Sequence, residues 1–129
     1  MNKPPKINND NNNELSLMLD ELKTKGKFKG IIFAKRNGEI INENIGKNAD
    51  CKKLASMCAS VFESAVGLGE TMGNQKIVKI IAELEKISIL MVGIKEKKVF
   101  LIFLINNQAD SSFIFDQMED YIQKISLLI

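Results

Sequence analysis

The sequence predicts a mixed α/β domain of the α+β kind, with elements in the order α-β-β-α-β-β-β-α. Three observations predict it. Two β-branched, apolar runs in KGIIFAKRNGEIINENI flank Asn37-Gly38, the dipeptide that best tolerates the positive φ angles of a tight antiparallel hairpin. A stretch of some five turns beginning at Asp50 carries apolar residues at helical spacing. Two further runs, EKISILMVGI and KVFLIFLIN, are joined by the charged turn Lys95-Glu96-Lys97-Lys98, and each is apolar on both faces, as in the centre of a covered sheet.

MNKPPKINNDNNN holds both prolines and offers too little apolar surface to offset the entropy of ordering it. Residues 1–12 are therefore expected to form a disordered tail and 13–129 a single domain, a length sufficient for a real core. Asn12 or Asn13 caps a short helix whose apolar residues Leu15, Met18, Leu19 and Leu22 follow the i, i+3, i+4, i+7 rule, and Gly26 stops it. Strands are expected near 29–35 and 39–45. Asp50 caps the long helix, about 50–72, which carries Cys51, Leu54, Ala55, Cys58, Phe62, Ala65, Gly69 and Met72 on one stripe. In KIVKIIAEL, residues 76–84, Ile77, Ile80, Ile81 and Leu84 fit a helix, but the β-branched density favours a strand that is apolar on both faces. Asp110 or Ser111 caps a last helix with Ile114, Met118, Tyr121, Ile122, Ile125 and Leu128 on its inner face.

The long helix has more apolar surface than one sheet covers. Met57, Val61 and Leu68 flank its stripe on one side and Ala59 and Val66 on the other, an arc of about 200° where a helix lying on one sheet needs little more than about 100°. Each large apolar side chain left in water forgoes roughly 1.5–3 kcal/mol, against a net stability of about 5–15 kcal/mol for a whole domain. A dimer is expected. Ser56, Ser60, Ser64 and Gly67 form a narrow small-residue track beside that arc, either a path for another helix or simply a solvated face.

GLGETMG, residues 67–73, has the glycine content of a phosphate-cradling loop. Such a loop binds anions because it leads from a strand into a helix N-terminus, and here it follows a helix with no Lys-Ser/Thr after it. It reads instead as the end of the long helix, with Gly73-Asn74 supplying a left-handed exit.

Composition removes much enzymology. There is no His and only Cys51 and Cys58, so zinc sites, Cys-His nucleophiles and Ser-His-Asp triads are excluded, and no cofactor or metal is expected. The two cysteines, seven apart on one helix, lie about 10 Å apart, too far for an internal disulfide, and read as reduced core thiols. The 18 basic and 16 acidic residues are scattered, with no basic stripe to track a phosphate backbone, so nucleic acid is not an expected partner. No apolar run approaches a membrane span and the polar N-terminus is unlike a signal peptide, which predicts a cytoplasmic protein. Glu63, Glu70 and Lys52 share the polar face of the long helix as a solvated surface. Arg36, the only arginine, reads as a solvated residue of the hairpin turn.

The element order, the GIIFAKRNGEII hairpin, the helix SMCASVFESAVGLGETMG and the closing KVFLIFLINNQADSSFIFDQMEDYIQKI together resemble the roadblock family over about residues 13–129. That family includes dynein-associated light chains, lysosomal Ragulator subunits and MglB-like prokaryotic regulators of Ras-like GTPases. Gly30 begins the hairpin as in the family, Asn37-Gly38 stands where Asp-Gly is usual, and Asp110-Ser111-Ser112-Phe113 departs from a common Gly. The resemblance implies a five-stranded antiparallel sheet with the long helix on one face and the two terminal helices on the other. It also implies a homodimer or heterodimer in which the long helix and the third strand meet their counterparts in one ten-stranded sheet. The corresponding interface residues here are Met57, Ser60, Val61, Ser64, Gly67, Leu68, Ile77, Val78, Ile80 and Ile81. The function implied is a noncatalytic dimeric platform that binds and regulates a small Ras-like GTPase. The alternative is a structural adaptor that holds a larger complex together without changing GTP turnover. If an arginine finger were involved, Arg36 would be its only source.

Overall fold

A computed structural model of the chain describes residues 9–46, 50–94, 97–106 and 116–129. Helix α1 spans Asn9–Gly26 and is followed by strands β1 (Gly30–Lys35) and β2 (Ile40–Asn44). Helix α2 (Cys51–Thr71) leads to β3 (Lys79–Glu83), β4 (Ser88–Gly93) and β5 (Val99–Ile105), and helix α3 (Met118–Leu128) closes the fold. The five strands form one sheet in the order β2-β1-β5-β4-β3, every neighbouring pair antiparallel. The expected element order and five-stranded antiparallel sheet are both present.

Strand β5 lies at the centre because it is the most apolar, and Val99 to Leu104 are all buried. Alternation then sorts its side chains. Phe100 and Ile102 join Ile32, Ala34 and Met91 beneath Ala55, Cys58, Ala59 and Phe62 of α2. Val99, Leu101 and Phe103 face the other way with Ile31, Phe33 and Leu90, covered by Leu15, Leu19 and Leu22 of α1 and Met118, Tyr121, Ile122 and Ile125 of α3. The layers are those the resemblance implies. Tyr121 ties the terminal helices together: its hydroxyl donates to Glu21 Oε2 at 3.0 Å, and the ammonium groups of Lys25 and Lys124 lie 5.3 and 5.2 Å from its ring centre.

Several details differ from the sequence expectation. Helix α1 begins at Asn9 rather than after an Asn12 or Asn13 cap, because adding a turn to an existing helix costs far less than nucleating one. It ends at Gly26, but the left-handed residue is Lys27, at φ 55°. Phe28 N–H donates to Lys23 O at 3.0 Å and Lys27 N–H to Thr24 O at 3.3 Å, the paired bonds of a Schellman stop. Gly26 serves packing instead, since a Cβ there would collide with the Phe28 ring. In the β1–β2 turn only Gly38 takes a positive φ, at 95°, while Asn37 accepts the Glu39 N–H at 2.9 Å. The ambiguous 76–84 stretch supplies a strand, β3, of five residues at the sheet edge. Residues 1–8 of the expected tail, Lys95-Glu96 of the charged turn, and Asp110, Ser111 and Ile114 of the last helix lie outside the described residues.

Candidate functional site

The candidate surface is built on the outward flank of α2. Asp50 starts this helix by accepting the Lys53 N–H at 3.1 Å, as a capping carboxylate should. The wide apolar arc divides into two flanks in the structure. Ala59 is buried and Val66 packs on the sheet, so one flank is absorbed by the protein's own core. The other is left in solvent: Met57 is 60 % exposed, Val61 45 % and Leu68 65 %. At about 100° per residue Ser64 adjoins this stripe and Ser60 and Gly67 follow on the same side, so six of the expected interface residues form one surface. Met72, expected on the inner stripe, is exposed because the helix ends at Thr71, before Met72 can turn inward.

The GLGETMG segment is the end of this helix, as expected, but its glycines have different tasks. Gly69 is buried where the chain doubles back, and a Cβ there would collide with the carbonyl oxygen of Gln75. That carbonyl is held by the return loop, whose Gln75 N–H donates to Gly69 O at 2.9 Å. Gly73 takes φ 85° and Asn74 φ 58°, the left-handed exit. Gly67 has nothing within 4 Å of where a Cβ would be among the described residues, so none of them requires glycine there.

Chain reversal at Gly69 delivers β3 to the edge beside α2. Ile77 and Ile80 are half-buried and pack into the α2 side of the core, with Ile77 Cδ1 only 3.8 Å from a would-be Cβ on Gly69. Val78 is 76 % exposed. Ile81 pairs in register with Leu90, whose side chain belongs to the terminal-helix face, so the structure places Ile81 on the opposite side of the sheet from α2. The expected residues therefore divide into an α2 surface and a strand edge whose side chains alternate between the two faces.

The small-residue track is partly occupied from within. Gly38 of the hairpin turn sits against Ser56, a Cβ on it lying 3.1 Å from the Ser56 Cα, so the backbone admitted at Ser56 is the chain's own turn. An open depression of about 530 Å³ beside this contact is lined by Asn37, Gly38, Glu39, Ile40, Lys52 and Ser56.

Arg36 is not the solvated turn residue expected. Its guanidinium carbon lies 4.3 Å from the Phe62 ring centre, and Nη2 bonds Glu63 Oε1 at 2.7 Å. Its Nε is buried without a hydrogen-bond partner among the described residues. The sequence signal was present: Glu63 follows Phe62 on α2, which supplies an aromatic face and a carboxylate side by side, but only the hairpin's position over the helix brings them to Arg36.

Cys51 and Cys58 are not joined to each other by a disulfide. Cys58 is buried, and burial pushes its thiol up to about 11. Desolvation does the same for Cys51, also to about 11, reinforced by the bond its Sγ donates to Glu43 Oε2 at 2.9 Å. Among the described residues no three His, Cys, Asp or Glu side chains gather where they could hold a metal. No described helix is long and apolar enough to cross a membrane.

No family model matches the sequence, and no curated protein does. Solved structures do match the fold. MglB of Myxococcus xanthus aligns over 88 % of this chain and 93 % of its own, with 19 % identity and a TM-score of 0.81. The gliding protein MglB of Thermus thermophilus aligns over 98 % and 97 %, with 11 % identity and a TM-score of 0.84. A Roadblock/LC7 domain from Streptomyces avermitilis aligns over 87 % and 94 %, with 10 % identity and a TM-score of 0.77. The chain has a roadblock-like fold.

Proposed function

We propose that this protein is a noncatalytic platform that pairs with a second roadblock-like chain along α2 and β3 and presents the joined surface to a small Ras-like GTPase, adjusting its nucleotide cycle. The observation that carries the reading is the contrast between the two edges of the sheet. Edge strand β2 is blunted: its pairing is interrupted by a bulge, and Asn44 is fastened by Lys23 Nζ at 3.0 Å and donates to Asp20 Oδ1 at 2.5 Å. Charged and irregular edges of this kind resist addition of another strand. Edge strand β3 pairs with β4 without a bulge, and Val78, Ile81 and Leu84 along this edge are all more than half exposed. Exposed apolar surface rimmed by polar residues marks a place where another protein sits.

The GTPase as partner is supported by the sequence resemblance to regulators of Ras-like GTPases and by the fold likeness to MglB. Arg36 is held by Phe62 and Glu63, so the platform works by repositioning groups of the GTPase and not by lending it an arginine. The reading places the protein in the cytoplasm, where such GTPases act and thiols stay reduced.

Single-turnover GTP hydrolysis by each small GTPase of the source organism, with and without this protein, tests the proposal. A changed rate with one of them is expected. Measurable binding with unchanged rates assigns the protein to the adaptor class instead, and absence of binding to all of them rejects the GTPase as partner.

A further inference from the structure

The end of α1 and the loop after it carry lysines at alternate positions, Lys23, Lys25, Lys27 and Lys29. Cations in the last turn of a helix offset the partial negative charge of its free carbonyl groups, which accounts for Lys23 and Lys25. Lys25 also faces the Tyr121 ring. Lys27 and Lys29 lie beyond the last turn, are exposed, and form no ion pair or side-chain hydrogen bond among the described residues. Helix termination does not account for their charge.

Lys27 also stands where a side chain is disfavoured. Its φ of 55° puts Cβ against the neighbouring backbone, and glycine is the residue that this position of a Schellman stop favours. Gly26, one residue earlier, is occupied in packing on Phe28, so the strained position falls to a lysine. Strain kept at an exposed residue points to a task other than folding.

Lys23, Lys27 and Lys29 line one open depression of about 590 Å³, together with Thr24, buried Phe28 and Asn44. Lys23 Nζ donates to Asn44 Oδ1 at 3.0 Å, which leaves that ammonium two further N–H donors. Asp20, the carboxylate among the described lining residues, accepts from Asn44 Nδ2 at 2.5 Å. Three ammonium groups against one engaged carboxylate make the depression cationic.

We infer that this depression is a binding site for a phosphomonoester dianion, with Lys23, Lys27 and Lys29 supplying the charge and the Thr24 hydroxyl a further donor. Separate point charges suit a tetrahedral phosphate, whereas a planar carboxylate is matched by the fork of an arginine, and the chain's one arginine, Arg36, is held on α2 instead. The volume exceeds that of a phosphate and lies within the range of small-molecule sites, roughly 300–1,000 Å³, so the group that carries the phosphate enters as well. The site lies between α1 and β2, the strand farthest from β3, so it stays open whether or not the platform pairs, and its failure would leave the pairing standing.

Titration of the full chain with glycerol 3-phosphate at pH 7.5 and constant ionic strength, followed by amide chemical shifts, tests the inference. Saturating shifts are expected at residues 23–29 and at Asn44, with a Kd on the order of 1 mM. Lys27→Gly should weaken binding roughly tenfold yet raise Tm, because glycine relieves the strain while removing the ammonium. Lys25→Gln, the same loss of charge one residue outside the depression's lining, should leave the Kd within about twofold. Vesicles containing phosphatidic acid identify the source: cosedimentation that Lys27→Gly abolishes assigns a lipid headgroup, and its absence beside an intact titration assigns a soluble phosphate. Shifts that do not saturate, a Lys27→Gly variant that binds as the wild type does, or a Lys25→Gln variant that loses as much as Lys27→Gly overturns the site. A tetraglutamate peptide that shifts the same residues as tightly overturns the assignment to phosphate.

Discussion

Two glycines two residues apart on α2 should respond in opposite directions to the same substitution. Gly67→Ala adds a methyl group where nothing lies within 4 Å, so only the helix-propensity gain acts, a stabilisation of about 0.5–1 kcal/mol. For a chain of 129 residues that raises Tm by about 2–5 °C. Gly69→Ala receives the same gain, but its Cβ collides with the Gln75 carbonyl, which is backbone and cannot rotate away. The exit loop must move, straining its bonds to Gly69 O from Met72 N–H at 3.1 Å and Gln75 N–H at 2.9 Å. Forced shifts of this kind cost about 1–3 kcal/mol and a lost bond about 0.5–1.5 kcal/mol, so the net change is a destabilisation of about 1–3 kcal/mol. Urea unfolding of both variants at one protein concentration measures the difference. If Gly69→Ala stabilises as much as Gly67→Ala, the chain does not double back over α2 as described, and the placement of β3 that follows from the reversal is wrong.

Met57→Lys combined with Val61→Lys should abolish dimerisation in sedimentation equilibrium while leaving circular dichroism unchanged, because both side chains are exposed in the protomer. Gly67→Leu should weaken partner or dimer association and leave the protomer folded; unchanged sedimentation and pull-down would remove Gly67 from the interface. Arg36→Ala should cost about 1–2 kcal/mol of stability, mostly from the Phe62 contact since Glu63 is 57 % exposed, and Arg36→Lys should recover less than half because lysine lacks the planar face. Both thiols, pushed up to about 11, should alkylate slowly at pH 7.5 and faster as pH rises, with buried Cys58 slower than Cys51. Because their folded values lie above the unfolded value of about 8.5–9, the stability they contribute is whole below about pH 9 and is lost as pH climbs toward 11. Glu43→Gln should speed alkylation of Cys51 only in part, since desolvation is the larger cause.

What could be read from the sequence was whatever depends on neighbours in the chain. The hairpin at Gly38, the Asp50 cap and the two-faced apolar character of β4 and β5 are local patterns, and each is present. The width of the apolar arc on α2 was legible too, but which flank the sheet would absorb was not, because Ala59 and Met57 differ only in which side meets β1 and β5. The contacts of Ser56 and Arg36 were not legible for one shared reason. Each is paired with a residue from an element brought close only by folding, Gly38 with Ser56 and Arg36 with Phe62 and Glu63, and neither contact leaves a periodicity to count. For 76–84, helical and extended spacings matched the same isoleucines, and the vacant place beside β4 decided between them.

The bulged and tethered β2 has a further effect on how large any assembly can grow. Once two chains join through β3, the outermost strands of the combined sheet are both β2, so the edge that recruited the second chain no longer exists. Growth stops at the first addition, and a protein with an adhesive border is spared from becoming a fibre.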